Sequence, residues 1–479
     1  MLAGRNGEVR PAKHGFRQER LSVMNDHAPA KLKLSIKLGW AIGELGIALF
    51  VGVTMMFFLF YLTEAHNISP AWAGIALLVP RLLDAIADPL FGALSDRVRC
   101  GMGRRRPFVL VGSILYGLGV YLFLAMPDFE TETAKIVYAI ATYIFASFAY
   151  SIISVPYSAM AAEMTTDYRE RTDLIGYKMV AARLGIIGAG TMTPLLYATQ
   201  ETLAEGFRLV GAVFSIFMVV TGLITFFTTR DAPRIERPVQ AFSLKEEFRA
   251  IIQNRPFSIL FIVFLCQNIA LGASATLLVY FLTYVMRADA SMIGPLIAIG
   301  GITATLFTPP WVLASKRLGK RRAYFVALAI VCVMALPALF LPPEMVMLLF
   351  AIYLVAAIGD AGHQLMSNSM VPDTVEIDEL RTGERREGAI FGAWAFCLKL
   401  GMAFGAFLVS LGLQSVGFAQ GGGMEAQSTV ALLGVRILYA LVPFLFWIGA
   451  MIALGWYDLS ETRFNTVKKQ IADRRVAAE

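Results

Sequence analysis

The feature that most constrains this chain is a series of apolar blocks, each about twenty residues or longer, that recur almost from end to end. A block of that length is what an α-helix needs to cross the hydrocarbon core of a bilayer, at roughly 1.5 Å per residue. No stretch between the blocks is long enough for a separate soluble domain. Hydrophobic residues make up 57% of the 479 and charged residues only 16%, against roughly 25% charged in soluble chains. The blocks are continuous and lack strand alternation. In lipid every backbone amide must pair within its own segment, so they predict helices rather than a barrel. Spans are expected near 37–63, 71–95, 107–126, 135–162, 174–199, 207–229, 256–285, 290–314, 322–341, 344–371, 387–415 and 431–457. The predicted fold class is an all-α membrane protein with twelve transmembrane helices. Several blocks exceed what a bilayer requires, which predicts tilt or protrusion.

The net charge of +7 would suit a nucleic-acid partner, but the placement of the charges argues for a membrane instead. With the N-terminus in the cytoplasm, 34 of the 42 Lys and Arg fall in cytoplasmic tails and loops. Three lie at outer ends (Lys135, Arg208, Arg287) and five within helices (Arg81, Lys178, Arg183, Lys399, Arg436). This asymmetry obeys the positive-inside rule and predicts an even number of spans with both termini cytoplasmic, in a bacterial inner membrane. It accounts for the basic balance without nucleic acid. Residues 1–36 read as a cytoplasmic tail without the apolar region of a signal peptide, and 458–479 as a second cytoplasmic tail. The longest internal polar stretch, 230–255, is predicted to link a six-helix half at 37–229 to another at 256–457. A repeat supports two pseudo-symmetric halves: SDRVRCGMGRRRPF (95–108) and SKRLGKRRAYF (315–325) are both short basic turns following the second helix of a half. The four cysteines form no disulfide framework.

An ionisable residue at mid-membrane is costly and therefore a functional candidate. Arg81, Asp84 and Asp88 fall at i, i+3 and i+7 and share one face of the second helix. Asp84 lies about 13 residues from the outer end, about 20 Å deep at 1.5 Å per residue. Two carboxylates one turn apart repel, so without a cation at least one should hold a proton. The stripe is expected to take Na⁺ or H⁺, with Arg81 offsetting part of the charge. Pro89 has no N–H, which frees the carbonyl of Ala85 as a further oxygen ligand. The alternative is an ion-pair knot between helices.

The fourth helix offers Tyr150, Ser151, Ser154, Tyr157 and Ser158, facing cation, substrate or neighbouring helices. Lys399 in the eleventh helix is about 18 Å deep and needs a carboxylate partner, for which Asp84 and Asp88 are the candidates. Trp394 could stack on a sugar ring or serve packing. Glu44, Lys178, Arg183, Asp360 and His363 are further candidates for the cavity, as are Gln267 and Asn268. Arg436 is expected to snorkel. The acids and bases of 371–389 are expected to form a cytoplasmic salt-bridge gate with the basic loops 96–106 and 315–322. No metal-ligand cluster, nucleophile–histidine pair or phosphate loop stands out, which argues against an enzyme.

The segments RLLDAIADP (81–89), GALSDRVRCGMGRRRPF (92–108), SVPYSAMAAEMTTDYRERTDLIGY (154–177) and PDTVEIDELRTGERREGAIFGAWAFCLKLG (372–401) span both halves. In combination they resemble the glycoside–pentoside–hexuronide:cation symporters of the major facilitator superfamily. The resemblance implies the major facilitator fold, alternating access, and symport of a sugar, glycoside or uronide by a monomer with no cofactor beyond the coupling ion. It implies that Asp84 and Asp88 bind that cation and that Lys399 sits between cation and substrate. Melibiose-type members carry a carboxylate where Ser154 stands, a Trp where Ser158 stands and a polar amide where Trp394 stands, so galactoside specificity does not carry over. A carrier of an amphiphile such as a lysolipid on the same fold is the alternative; it predicts lateral openings lined by Phe and Met.

Overall fold

In the computed structural model, residues 32–98, 100–165, 167–233, 253–343, 345–383, 386–459 and 461–478 are described. Among them the regular structure is helical throughout, as a chain that must satisfy its own amides in lipid requires. The first half comprises α1 (Leu34–Phe60), α2 (Pro70–Arg97), α3 (Arg106–Leu124), α4 (Glu132–Met164), α5 (Tyr168–Tyr197) and α6 (Leu203–Thr228). The second comprises α7 (Arg255–Tyr280), α8 (Ile293–Leu318), α9 (Lys320–Ala335), α10 (Val346–Thr382), α11 (Glu387–Ser415) and α12 (Thr429–Gly455). Eleven of these have the length and apolar composition to cross a membrane. The twelfth long helix, α2, has 28 residues and carries the Arg81–Asp84–Asp88 stripe. Linker residues 234–252 lie outside the described residues.

Local chemistry sets the helix ends. Pro70, Pro107 and Pro256 occupy first-turn positions, where a missing N–H costs nothing. The side chains of Thr131, Asp167, Thr202, Asn254 and Ser428 each accept from a first-turn amide. α10 is 37 residues long, about 55 Å at 1.5 Å per residue, and so protrudes beyond a bilayer. The expected tail at 458–479 is mostly helical instead: α13 (Glu461–Ala478) lies against the protruding end of α10. Lys468 faces Glu376 at 3.8 Å, and Val467 is buried. A short polar helix with no span of its own gave no apolar signal to read.

The two halves repeat each other in detail. α1 and α7 both end in a π turn, Tyr61–Ala65 and Phe281–Val285. Each π turn is followed by a residue with positive φ, Asn67 at 55° and Arg287 at 53°. The N–H of Ile68 reaches the carbonyl of Leu62, and that of Ala288 the carbonyl of Leu282, both at 3.0 Å. Between the halves α2 packs on α11, α5 on α8, and α1 on α7.

At the end away from the chain termini the halves are bonded together. Thr63 Oγ1 lies 2.7 Å from Tyr280 Oη, and Tyr284 donates to Glu64 Oε2 at 2.6 Å. At the terminal end, the ion pairs of Lys37 with Glu170, of Arg104 and Arg105 with Glu163, and of Lys320 with Asp373 each stay within one half. Of the pairings expected between 371–389 and the basic turns, Lys320–Asp373 is present, but it lies within the second half and does not gate one half against the other. Arg104 and Arg105 of the 96–106 turn face Glu163 of their own half. Arg381 and Arg386 both pair with the fully buried Asp378.

Candidate functional site

The deepest charge cluster joins the halves at their centre. The one-turn spacing of Asp84 and Asp88 aims both carboxylates from α2 toward α11 and α4. Lys399 Nζ of α11 contacts Asp84 Oδ2 at 2.8 Å and also bonds Asp88 Oδ2. On the other side Ser151 Oγ of α4 lies 2.6 Å from Asp84 Oδ1 and 2.7 Å from Asp88 Oδ1. Asp84 is fully buried, whereas the Asp88 side chain retains 27% exposure.

Two properties follow. A hydroxyl has one proton, so Ser151 cannot donate fully to both carboxylates at once; a second proton or a cation would complete the arrangement. Moreover, two carboxylates and one ammonium sum to one negative charge in a medium where an uncompensated charge is expensive. Three oxygens, Ser151 Oγ and the two Oδ1 atoms within 2.7 Å of it, stand together, the donor type that hard cations take.

The other sequence candidates are distributed around this centre. Arg81 makes no close ion pair with the carboxylates, though its charge acts on Asp84 from a distance, as expected of a partial offset. Its Nη2 donates to Thr54 Oγ1 at 3.1 Å, and the guanidinium lies 5.7 Å from the ring centre of Tyr143. Three residues along α2 rotate it about 60° from Asp84, enough to reach α1 and α4 instead. Tyr150 sits with its ring centre 5.4 Å from Lys399 Nζ. Ser154 forms no hydrogen bond with either carboxylate among the described residues; Ser151, one turn earlier, occupies that place. Ala85 and Pro89 lie in α2, but their side chains are outside those described.

Toward the terminal end, Glu44 and Lys178 form a second pair at 3.4 Å, and Lys178 also donates to Ser158 at 2.9 Å. Lys178 lies 5.2 Å from the ring centre of Tyr157, which is itself stacked on Trp40. Trp394 is 7% exposed and stacks on Phe264 with centroids 3.7 Å apart, so packing occupies the face that a sugar would need. Gln267 accepts from Tyr324 Oη, and Asn268 bonds the carbonyl of Phe264 in its own helix. Arg436 Nη1 bonds the carbonyls of Leu339 and Leu341, which a short 3₁₀ turn leaves without helical partners. His363 is fully buried, with Nε2 2.9 Å from Asp360 Oδ1. Arg183 and Asp360 line a separate cavity.

Beside the central cluster lies a cavity of about 120 Å³, bounded by Thr54, Met55, Arg81, Tyr143, Tyr150, Thr276 and Lys399, among others. Thr54, Tyr143 and Thr276 were not singled out from the sequence. Their signal was weak: single hydroxyls in apolar helices, which more often bond their own backbone.

Comparison with known proteins agrees with this architecture. The chain is 28% identical to the uncharacterized symporter YnaJ of Bacillus subtilis, over 93% of its own length and 96% of the relative's. It is 27% identical to the inner membrane symporter YicJ of Escherichia coli, over 92% and 95%. It is 29% identical to an Escherichia coli protein provisionally named glycoside/cation symporter YagG, over 93% and 96%. A solved bacterial homologue of the lysosomal transporter Spinster shares the fold, with a TM-score of 0.62 at 14% identity, covering 92% of this chain and 97% of that one. The nucleoside transporter NupG shares it with a TM-score of 0.63 at 15% identity, covering 88% and 100%. The chain is thus a multi-span membrane transporter with the major facilitator fold, a secondary-active symporter and not an enzyme. It matches the family described as MFS/sugar transport protein over residues 39–461 and belongs to that family.

Proposed function

We propose that the protein couples entry of a sugar, glycoside or uronide to a cation bound by Asp84, Asp88 and Ser151, in a bacterial inner membrane with both termini cytoplasmic. The observation that carries this reading is the Asp84–Asp88–Ser151 cluster with Lys399 of the other half against it. An incoming cation competes with the Lys399 ammonium for the same carboxylates. Once displaced, Lys399 has the Tyr150 ring face at hand. Because the carboxylates belong to one half and the lysine to the other, cation occupancy changes the bonding between halves, and that bonding is what alternating access must alter. The grouped oxygens favour Na⁺; the single hydroxyl proton between two carboxylates favours H⁺.

The hydroxyls of Thr54, Tyr143, Tyr150 and Thr276 and the cations Arg81 and Lys399 suit a polar solute. That supports a sugar-like substrate over an amphiphile at this cavity. With the termini cytoplasmic, the bonds at the far end support a state closed to the outside. The test is uptake into proteoliposomes. Asp84→Asn and Asp88→Asn should each lower Na⁺- or H⁺-driven uptake of the glycoside at least a hundredfold while the protein still inserts. Normal gradient-driven uptake in both variants would refute the assignment. Thermal stabilisation by glycosides that requires Na⁺ would choose sodium; stabilisation indifferent to Na⁺ but dependent on pH would choose the proton.

A further inference from the structure

The repeat between the halves singles out a second charged site. Thr63 and Thr283, Asn67 and Arg287, Arg81 and Gly301, Ser95 and Ser315, and Arg97 and Arg317 all fall at one constant separation. α5 and α11 correspond through their glycines. The Cβ position of Gly185 abuts the Leu45 carbonyl and Ala48, while that of Gly401 abuts the Leu265 carbonyl and Asn268, which stand at the α1–α7 separation. Arg183 and Lys399, each two residues before its glycine, are therefore counterparts. Lys399 meets the carboxylates of α2. Arg183 meets α8 at Gly301, the counterpart of Arg81, where its Nη1 lies 3.4 Å from the Cβ position. A guanidinium from the first half thus stands near where α8, lacking an arginine, leaves room.

The room is considerable. In the first half, Phe50, Tyr116 and Tyr143 fill the gap between α1, α3 and α4 on one side of Arg81, leaving about 10 Å³ there beside the central cavity of about 120 Å³. The corresponding gap between α7, α8, α9, α10 and α12 is a cavity of about 260 Å³. Its walls are mainly apolar, with Ile297, Val331, Ile352, Tyr439 and Pro443 among them, and its charged groups are Arg183 and Asp360.

Asp360 already has partners: Oδ1 lies 2.9 Å from His363 Nε2, and Oδ2 accepts from Gln364 at 2.6 Å. Arg183 makes no hydrogen bond or close ion pair among the described residues, its charge acting on Asp360 only across the cavity, and its side chain is exposed. Its donors call for an acceptor, and the walls call for an apolar body.

We propose that this cavity is a binding site, separate from the carboxylate pair, for a small organic acid with a single-ring apolar body whose carboxylate is held by Arg183. The proposal goes beyond the symport reading and does not depend on it. A guanidinium takes a carboxylate through two parallel N–H donors. The cavity's size suits one ring and a short chain rather than a long-chain lipid.

The experiment uses full-length protein in phosphatidylcholine nanodiscs, with 3-phenylpropionate as probe and calorimetric titration against empty nanodiscs. One saturable site per protein is expected, with acetate and 3-phenylpropanamide at least tenfold weaker. Arg183→Gln should weaken binding at least tenfold, Arg183→Lys by less, and Ala356→Phe, which fills the cavity, should abolish it. Monodispersity and melting temperature show that each variant is folded; should Arg183→Gln not fold, Ala356→Phe and the amide probe carry the test. Binding that is not saturable, or that survives both Arg183→Gln and Ala356→Phe, overturns the proposal. So does binding lost equally in Asp84→Asn, which would place the acid at the central cluster.

Discussion

At the residue scale, the central cluster makes separable predictions. Removing the ammonium leaves the buried Asp84 carboxylate facing the partly exposed one of Asp88. Lys399→Ala should therefore destabilise the protein by about 3–5 kcal/mol, the range for breaking a buried pair. Adding Asp88→Asn should restore part of that, because one negative charge is then gone. Melting curves of the single and double variants check this, and additive losses would show that the residues are not coupled. The turn after α1 makes a prediction about pH. Burial, reinforced by the positive charge of Lys135, pushes the His66 imidazole down to about 4. Between that value and about 6.5 the unfolded chain binds a proton that the folded chain refuses, so stability falls as pH drops through this window, by up to about 3 kcal/mol. His66→Gln should flatten the melting temperature between pH 7 and pH 4.5 relative to the parent protein. An unchanged slope would place the sensitivity elsewhere.

At the element scale, close approach of backbones sets the packing of α7 on α11. A Cβ on Gly405 would lie 2.2 Å from the carbonyl oxygen of Ile269, and one on Gly272 would lie 2.3 Å from that of Met402. These are backbone atoms of a neighbouring helix and cannot step aside singly. Small residues at such crossings let membrane helices approach. Gly405→Leu should separate α11 from α7 and displace Lys399, two turns away, from Asp84. The expected result is a lowered melting temperature together with lost cation-dependent uptake. Wild-type uptake from this variant would mean that the crossing tolerates expansion.

At the scale of the whole molecule, the halves are bonded at the far end by Thr63–Tyr280 and Glu64–Tyr284. A carrier must break these contacts once per cycle. With the four native cysteines replaced by alanine, a Thr63→Cys, Tyr280→Cys pair joined by a short thiol cross-linker should stop uptake, and a cleavable linker should restore it on reduction. Unimpaired transport with the link intact would show that the far end need not open.

The sequence by itself determined the environment and the elements. The apolar segments are helices because lipid offers their amides no other partner. The carboxylates of α2 and the ammonium of α11 were legible because charge at that depth is rare and costly. The repeat was visible in its basic turns. Only the tertiary structure decided which side chains meet. Lys399 and Asp84 are 315 residues apart, and the contact arises from the crossing of two helices in different halves, which no local spacing encodes. Within the first half, the packing of α4 on α2 puts Ser151 rather than Ser154 on the carboxylates, and Arg81 of α2 reaches Thr54 of α1. Trp394 turns into packing against Phe264, and Arg183 stands beside Gly301. Periodicity gives the face of a helix, but the neighbour that face meets depends on how all twelve helices pack together.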